Sequence, residues 1–316
     1  MNKFWVRCFI ASLFIFAGGA RLQANNVTIS SCTLVNRDTG NHTFDIKLSV
    51  SQESSWRNPG APSDTANWDA LWVFVKYSTA PAGGGLFGAW KHCKLLNTGY
   101  TIPGGSEIAM SSSTAEGAFL GFFIYRSAAQ ASTGMVTWND VIIKWDYGTD
   151  SVADDAWCRI KAFAAEMVYI PQGEFDLGDT ASGTGVNKFY AGGGSGPFQV
   201  ASENAIAVAN TSGNLYFSGA GTYDIPQAFP KGYKAFYMMK YEISQIQYWE
   251  FFNTLTANQK TTRSSGSTYI MSNTAGVSER NGIKANGCDL DNDGVYNESH
   301  DGQWIACNYL SWADVA

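Results

Sequence analysis

From Val27 to about Ala165 the chain alternates apolar and polar side chains with a period of two. In HTFDIKLSV, Phe44, Ile46, Leu48 and Val50 point one way and Asp45, Lys47 and Ser49 the other, as in a half-buried strand. Ala70 to Ser78 (ALWVFVKYS) is apolar on both faces, which suits a central strand. Phe119 to Ser127 and Val136 to Tyr147 continue the series. The stretches RNPGAPSD, APAGGG and TIPGGSE separate them as turns. No helical period intervenes, so this part predicts an antiparallel β-sandwich.

The pattern then changes. AWCRIKAFAAE (Ala156 to Glu166) enters MVYIPQGEFDLGD without a linker, so a second domain abuts the first, and one continuous strand could serve both. Pro171 and Gly173 make a turn, after which Phe175 and Leu177 resume the alternation. The glycine-rich run Thr180 to Pro197 lacks the GxxxxGK[ST] order and precedes no helix start, so it is a loop rather than a phosphate cradle. FQVASENAIAVAN and NLYFSG read as two strands of an insertion. AFYMMKYEISQIQYWEFFNTL (Ala235 to Leu255) predicts a strand running into a helix. Ser244 and Gln247 form a capping box, and Ile243 and Tyr248 a hydrophobic staple. Tyr248, Phe251, Phe252 and Leu255 fall on one helical face. The polar segment after Leu255 reads as a surface excursion. A second capping box, Ser311 with Asp314, opens a helix at Trp312. The chain ends within about one turn of that point, too short for a helix to sustain itself, and so reads as a fragment.

The first residues carry an address. MNKFWVR is cationic, CFIASLFIFAGGA is apolar but too short to span a bilayer, and Leu22-Gln23-Ala24 offers cleavage before Asn25. Residues 1–24 are therefore a signal peptide, residues 25–165 the sandwich and residues 166–316 the second domain. The chain is expected to be exported (periplasmic, cell-surface or secreted), with no membrane span after the leader. Charged residues make up only 15% and the net charge is −6, so no basic stripe exists for nucleic acid. Without Cys8 in the leader, five cysteines remain. Cys288 and Cys307 bracket one loop and are the natural disulfide pair. Cys32, Cys93 and Cys158 allow one bridge and one thiol, with the choice open.

Candidate chemistry concentrates in CDLDNDGVYNESHDGQWIAC. Asp289, Asp291 and Asp293 at alternate positions before Gly294 open a calcium loop, with the Val295 carbonyl as a further ligand. Three carboxylates this close repel one another without a cation. The twelfth position is His300 where a bidentate acid belongs, so Glu298 or Asp301 would substitute. The bland alternative is a solvated turn held by Asx hydrogen bonds. Elsewhere, Trp56, Trp68 and Trp90 could line a sugar-binding face or plug a core. His42, His92 and His300 are scattered, without HExxH or a nucleophile elbow.

Three stretches together, MVYIPQGEFDLGD, AFYMMKYEISQIQYWEFFNTL and CNYLSWADVA, resemble the formylglycine-generating enzyme (sulfatase-modifying factor) family. The match spans Met167 to Ala316, broken by two long insertions. It implies an α+β fold, in which the antiparallel sandwich precedes a partial, C-type-lectin-related domain. Family enzymes oxidise a cysteine of a sulfatase to formylglycine, with oxygen and copper held by a cysteine pair. That pair follows an Arg-Leu-Pro-Thr-Glu-like motif absent here, and Cys288 and Cys307 do not occupy its positions. No catalytic residue carries over. The alternatives are a non-catalytic surface, binding or gliding-motility scaffold protein on the same fold, and a carbohydrate-binding module on the sandwich.

Overall fold

The computed structural model describes residues 27–60, 66–113, 117–178, 189–217, 223–263, 282–290, 293–298, 300–308 and 310–311. The expected leader (residues 1–24), Asp291 and the helix start at Trp312 lie outside them. The fold is rich in β-structure, with curled antiparallel sheets. Its first half contains β1 (Val27–Asp38), β2 (Thr43–Asn58), β3 (Asn67–Ala80), β4 (Lys91–His92), β5 (Ser106–Ser113), β6 (Ala118–Arg126), β7 (Gln130–Asp146) and β8 (Trp157–Ile170). β2 pairs with β1 on one side and β7 on the other. β3 pairs with β6 and β8, and β5 joins β6. A short β2–β3 pairing at Arg57–Trp68 and Asn58–Asn67 makes these groups one curled sheet rather than two separate ones.

The predicted alternation decides what the sheet encloses. Ile46, Leu48 and Val50 of β2 meet Val73 and Val75 of β3, Phe122 and Ile124 of β6, and Trp138, Ile143 and Trp145 of β7 in one core. The polar face of β2 is not simply wet. Asp45 receives Lys144 Nζ at 2.7 Å and Lys47 pairs with Asp140 at 3.0 Å, both on β7, so cross-strand ion pairs line that face. The opposite face of β3, β6 and β8 is half-buried and aromatic. Trp68 stacks on Tyr169 at 3.9 Å, Phe74 on Phe163 at 5.1 Å, and Trp72 leans on Phe123 at 4.8 Å. Gly121 on β6 makes room for this layer, because a Cβ there would lie 2.5 Å from the Trp72 ring.

The second half begins inside β8. The division between residues 165 and 166 falls within this unbroken strand. Next come β9 (Phe175–Leu177), β10 (Phe189–Ala191), β11 (Phe198–Val200), β12 (Ile206–Val208), β13 (Leu215–Phe217) and β14 (Tyr223–Ile225), all three residues long. They form a β9–β11 pair and a β10-β13-β12-β14 sheet, so FQVASENAIAVAN supplies two strands where one was expected. β15 (Phe236–Met239) then returns to β8 and becomes the ninth strand of the large sheet, pairing Tyr237 with Tyr169. α1 (Gln245–Phe252) follows, ending three residues short of Leu255. α2 (Ala257–Arg263) occupies a stretch read as surface loop. Its cap is a Thr256–Gln259 box, legible in sequence but overlooked. β16 (Ile283–Lys284) and β17 (Gly287–Cys288) form a small hairpin against α1.

Gly121→Ala should lower stability by about 1–3 kcal/mol, since Trp72 and the Val73 carbonyl leave no space. Gly104→Ala meets nothing within 4 Å and should be near neutral. Urea denaturation of the two variants checks the contrast.

Candidate functional site

Helix α1 fixes the acidic segment. Ser244 Oγ accepts from Gln247 N–H, and Gln247 Oε1 accepts from Ser244 N–H at 2.9 Å, the predicted capping box. Two further N–H groups of the first turn go to the acidic segment. Gln245 N–H donates to Ile305 O and Ile246 N–H to Gln303 O, both at 3.0 Å, and Cys307 N–H returns to Ile243 O at 2.7 Å. The chain from 303 to 307 is thus held on the helix start.

The sequence-predicted residues do not converge on a common centre among the described residues. Asp289 is buried and its Oδ2 accepts from Lys284 Nζ at 2.5 Å. Asp293 is exposed and accepts from Val295 N–H at 2.8 Å, an Asx turn that leaves Val295 half-exposed. Asp301 is fully buried and accepts from Glu298 N–H at 2.7 Å. No group of three His, Cys, Asp or Glu side chains able to hold a metal occurs among the described residues, and Asp291 is not among them. The described residues of this turn hold an ion pair and an Asx turn.

Cys288 and Cys307 pack into one apolar cluster with Tyr248, Phe252 and Ile283, with no disulfide between them. Burial first, then the charges of Asp301 and Cys307, push the Cys288 thiol up to about 12. Cys32, Cys93 and Cys158 likewise form no disulfide and share the main core, where burial raises all three. None has the electropositive, accessible setting of a reactive thiolate.

One buried polar constellation was missed by the sequence reading. Lys240, the residue after β15, places Nζ 3.3 Å from Asp69 Oδ2 on β3 and 3.3 Å from Glu166 Oε2 on β8. Asp69 is wholly buried and Glu166 nearly so. Asp69 Oδ1 accepts from Ser55 Oγ–H at 2.9 Å and from Trp56 N–H at 3.0 Å, while Oδ2 accepts from Gln52 Nε2 at 2.6 Å. Arg126 Nε donates to Ser55 Oγ at 3.0 Å, which turns the hydroxyl proton toward Asp69. Lys240 Nζ also lies over the Trp56 ring, 5.0 Å from its centroid. Burial pushes the Asp69 carboxyl above its ordinary range, against the Ser55 hydrogen bond and the Lys240 charge. A faint signal existed: single charges interrupting the apolar runs NWDALWVFV, KAFAAEMVYI and FYMMKY.

The three tryptophans pack against cations and, at Trp68, against another ring. Trp68 lies between Tyr169 and the Arg57 guanidinium, Trp56 faces Lys240, and Trp90 faces Arg159. A groove of about 460 Å³ runs past Tyr77, Lys91, His92, Lys94, Leu120 and Asp150. Asp150 is already engaged there by Trp145 Nε1–H at 2.7 Å and Lys94 N–H at 3.0 Å.

Comparison with family models, curated proteins and solved structures finds no match to this chain.

Two measurements probe these charges. Lys284→Met strands Asp289 in a buried position and should cost about 3–5 kcal/mol in urea denaturation, most of it recovered by adding Asp289→Asn. Burial, with the Lys76 charge, lowers His92 from 6.5 to about 4. Above pH 6.5 both folded and unfolded chains carry it neutral. As pH falls toward about 4 the unfolded chain alone takes up the proton, so stability declines over that window. His92→Gln should flatten that part of the stability–pH curve.

Proposed function

We propose that this chain is an exported protein of the formylglycine-generating type, in which the described residues serve attachment and binding rather than oxidation. The family part rests on the three resembling stretches, and export rests on the leader-like first residues. One observation carries the non-catalytic part. The cysteines of the second region lie in an apolar cluster, with Cys288 pushed up to about 12, whereas copper(I) takes thiolates. The strand-to-helix passage through the Ser244 cap supports the partial lectin-related domain. The distribution of the main core between β1-β2-β7 and β5-β6-β3-β8 supports a sandwich before it. No helix among the described residues is long and apolar enough to cross a membrane.

The partner such a protein would engage is another protein, sulfatase-like or at the cell surface. The glycan alternative is disfavoured by the occupied tryptophan faces. Calcium is supported by the DxDxDG spacing and opposed by the Lys284–Asp289 pair, which an entering ion would have to displace.

Incubated with copper, oxygen and a sulfatase-derived cysteine peptide, the protein should leave the peptide mass unchanged; conversion to formylglycine would overturn the non-catalytic reading. Calorimetric titration with calcium decides the metal: heat abolished by Asp293→Ala supports the acidic turn, and a flat titration removes calcium from the account.

A further inference from the structure

We propose that Lys240 and Asp69 condense to an intramolecular amide, with Glu166 as the proton-transferring group. The three side chains lie at the sheet end where β3, β8 and the residue after β15 meet, and water has little access to them. Asp69 and Lys240 are 171 residues apart, so the bond would tie the ninth strand covalently to the first half of the chain.

The geometry supplies each part of an acyl transfer. The nucleophile, Lys240 Nζ, is 3.3 Å from Oδ2, one bond from the Asp69 Cγ it must attack. Glu166 Oε2 sits 3.3 Å from the same nitrogen and can take its proton. Asp69 Oδ1 faces two donors, the Trp56 N–H and the Ser55 hydroxyl, which meet the negative charge that gathers on this oxygen during attack. Arg126 holds the Ser55 hydroxyl in that orientation. Burial also favours the neutral acid, the electrophilic form of Asp69.

The step balances without an oxidant or cofactor. A proton passes from the Lys240 ammonium through Glu166 to Asp69, giving a neutral amine and a neutral carboxylic acid. Nζ attacks Cγ and the Nζ–Cγ bond forms. Glu166 removes a second proton from the nitrogen and delivers it to Oδ2. The Cγ–Oδ2 bond then breaks and that oxygen leaves as water. An ammonium and a carboxylate become one amide and one water, and Glu166 ends as it began.

The test is the intact mass of the purified full chain under denaturing conditions, followed by peptide mapping after trypsin. The expected mass is lower by one water than that of the uncondensed chain. The map should show a branched peptide that joins Asp69 to Lys240 and resists cleavage after Lys240. Uncondensed mass with linear peptides at both residues overturns the proposal, whatever the variants do. Lys240→Arg should restore the full mass. A water loss that survives Lys240→Arg belongs to succinimide formation, at Asp293–Gly294 for example, and also overturns it. Glu166→Gln, checked for native tryptophan fluorescence, should keep the full mass. Condensation at the wild-type rate in that variant would remove Glu166 from its role.

Discussion

A carboxylate taken out of water must be met by a cation or by hydrogen bonds, and this constraint orders the junction between the two halves. Asp69 and Glu166 lie on neighbouring strands, β3 and β8, at the end of the main core. The sheet alone supplies no ammonium for them. It arrives from Lys240, whose backbone N–H donates to Glu166 O at 2.9 Å as the β8–β15 ladder runs out. The same pairing that adds the ninth strand therefore delivers the charge. Loss of one member would leave a buried charge uncompensated, a cost of several kcal/mol in general.

The aromatic layer has a related logic. Tyr237, on β15, stacks on Phe123 of β6 at 3.9 Å and accepts a hydrogen bond from Trp68 Nε1 at 3.2 Å. One strand from the second half thus closes both faces of the sheet end, with Lys240 on the charged side and Tyr237 on the aromatic side. Farther along, Lys161 of β8 meets Glu250 of α1 at 3.5 Å, where the helix approaches the same sheet. The two halves share a strand, an ion cluster and a ring stack.

What was legible in the sequence was local. The alternation in β2, the apolar run of β3, the patterns of β6 and β7, and the Ser244–Gln247 cap each depend on residues a few positions apart, so a linear reading finds them. The Thr256–Gln259 box was equally local and was passed over because the surrounding segment is polar. The Asp69–Glu166–Lys240 cluster could not be read in that way. Its members come from two strands and the residue after a third, and the pairing of β8 with both β3 and β15 assembles them. The acidic turn shows another contact that spacing does not reveal. Its spacing suggested one shared ion, yet Asp289 turns inward to Lys284, a residue five positions earlier that the ligand pattern ignores.

Burial acts differently on the two kinds of reactive group in this chain. It disfavours the thiolate form of the cysteines, as at Cys288 and Cys93, where burial pushes the thiol upward. At the Lys240 cluster it works the other way. Three charges held away from water are costly, and a neutral amide in place of the ammonium and one carboxylate removes two of them. The donors around Asp69 Oδ1 would then serve the amide carbonyl, and Glu166 would face the amide N–H. The Ser55 and Trp56 donors would remain in use after condensation, whereas Gln52 Nε2 would lose its acceptor, because Oδ2 leaves as water.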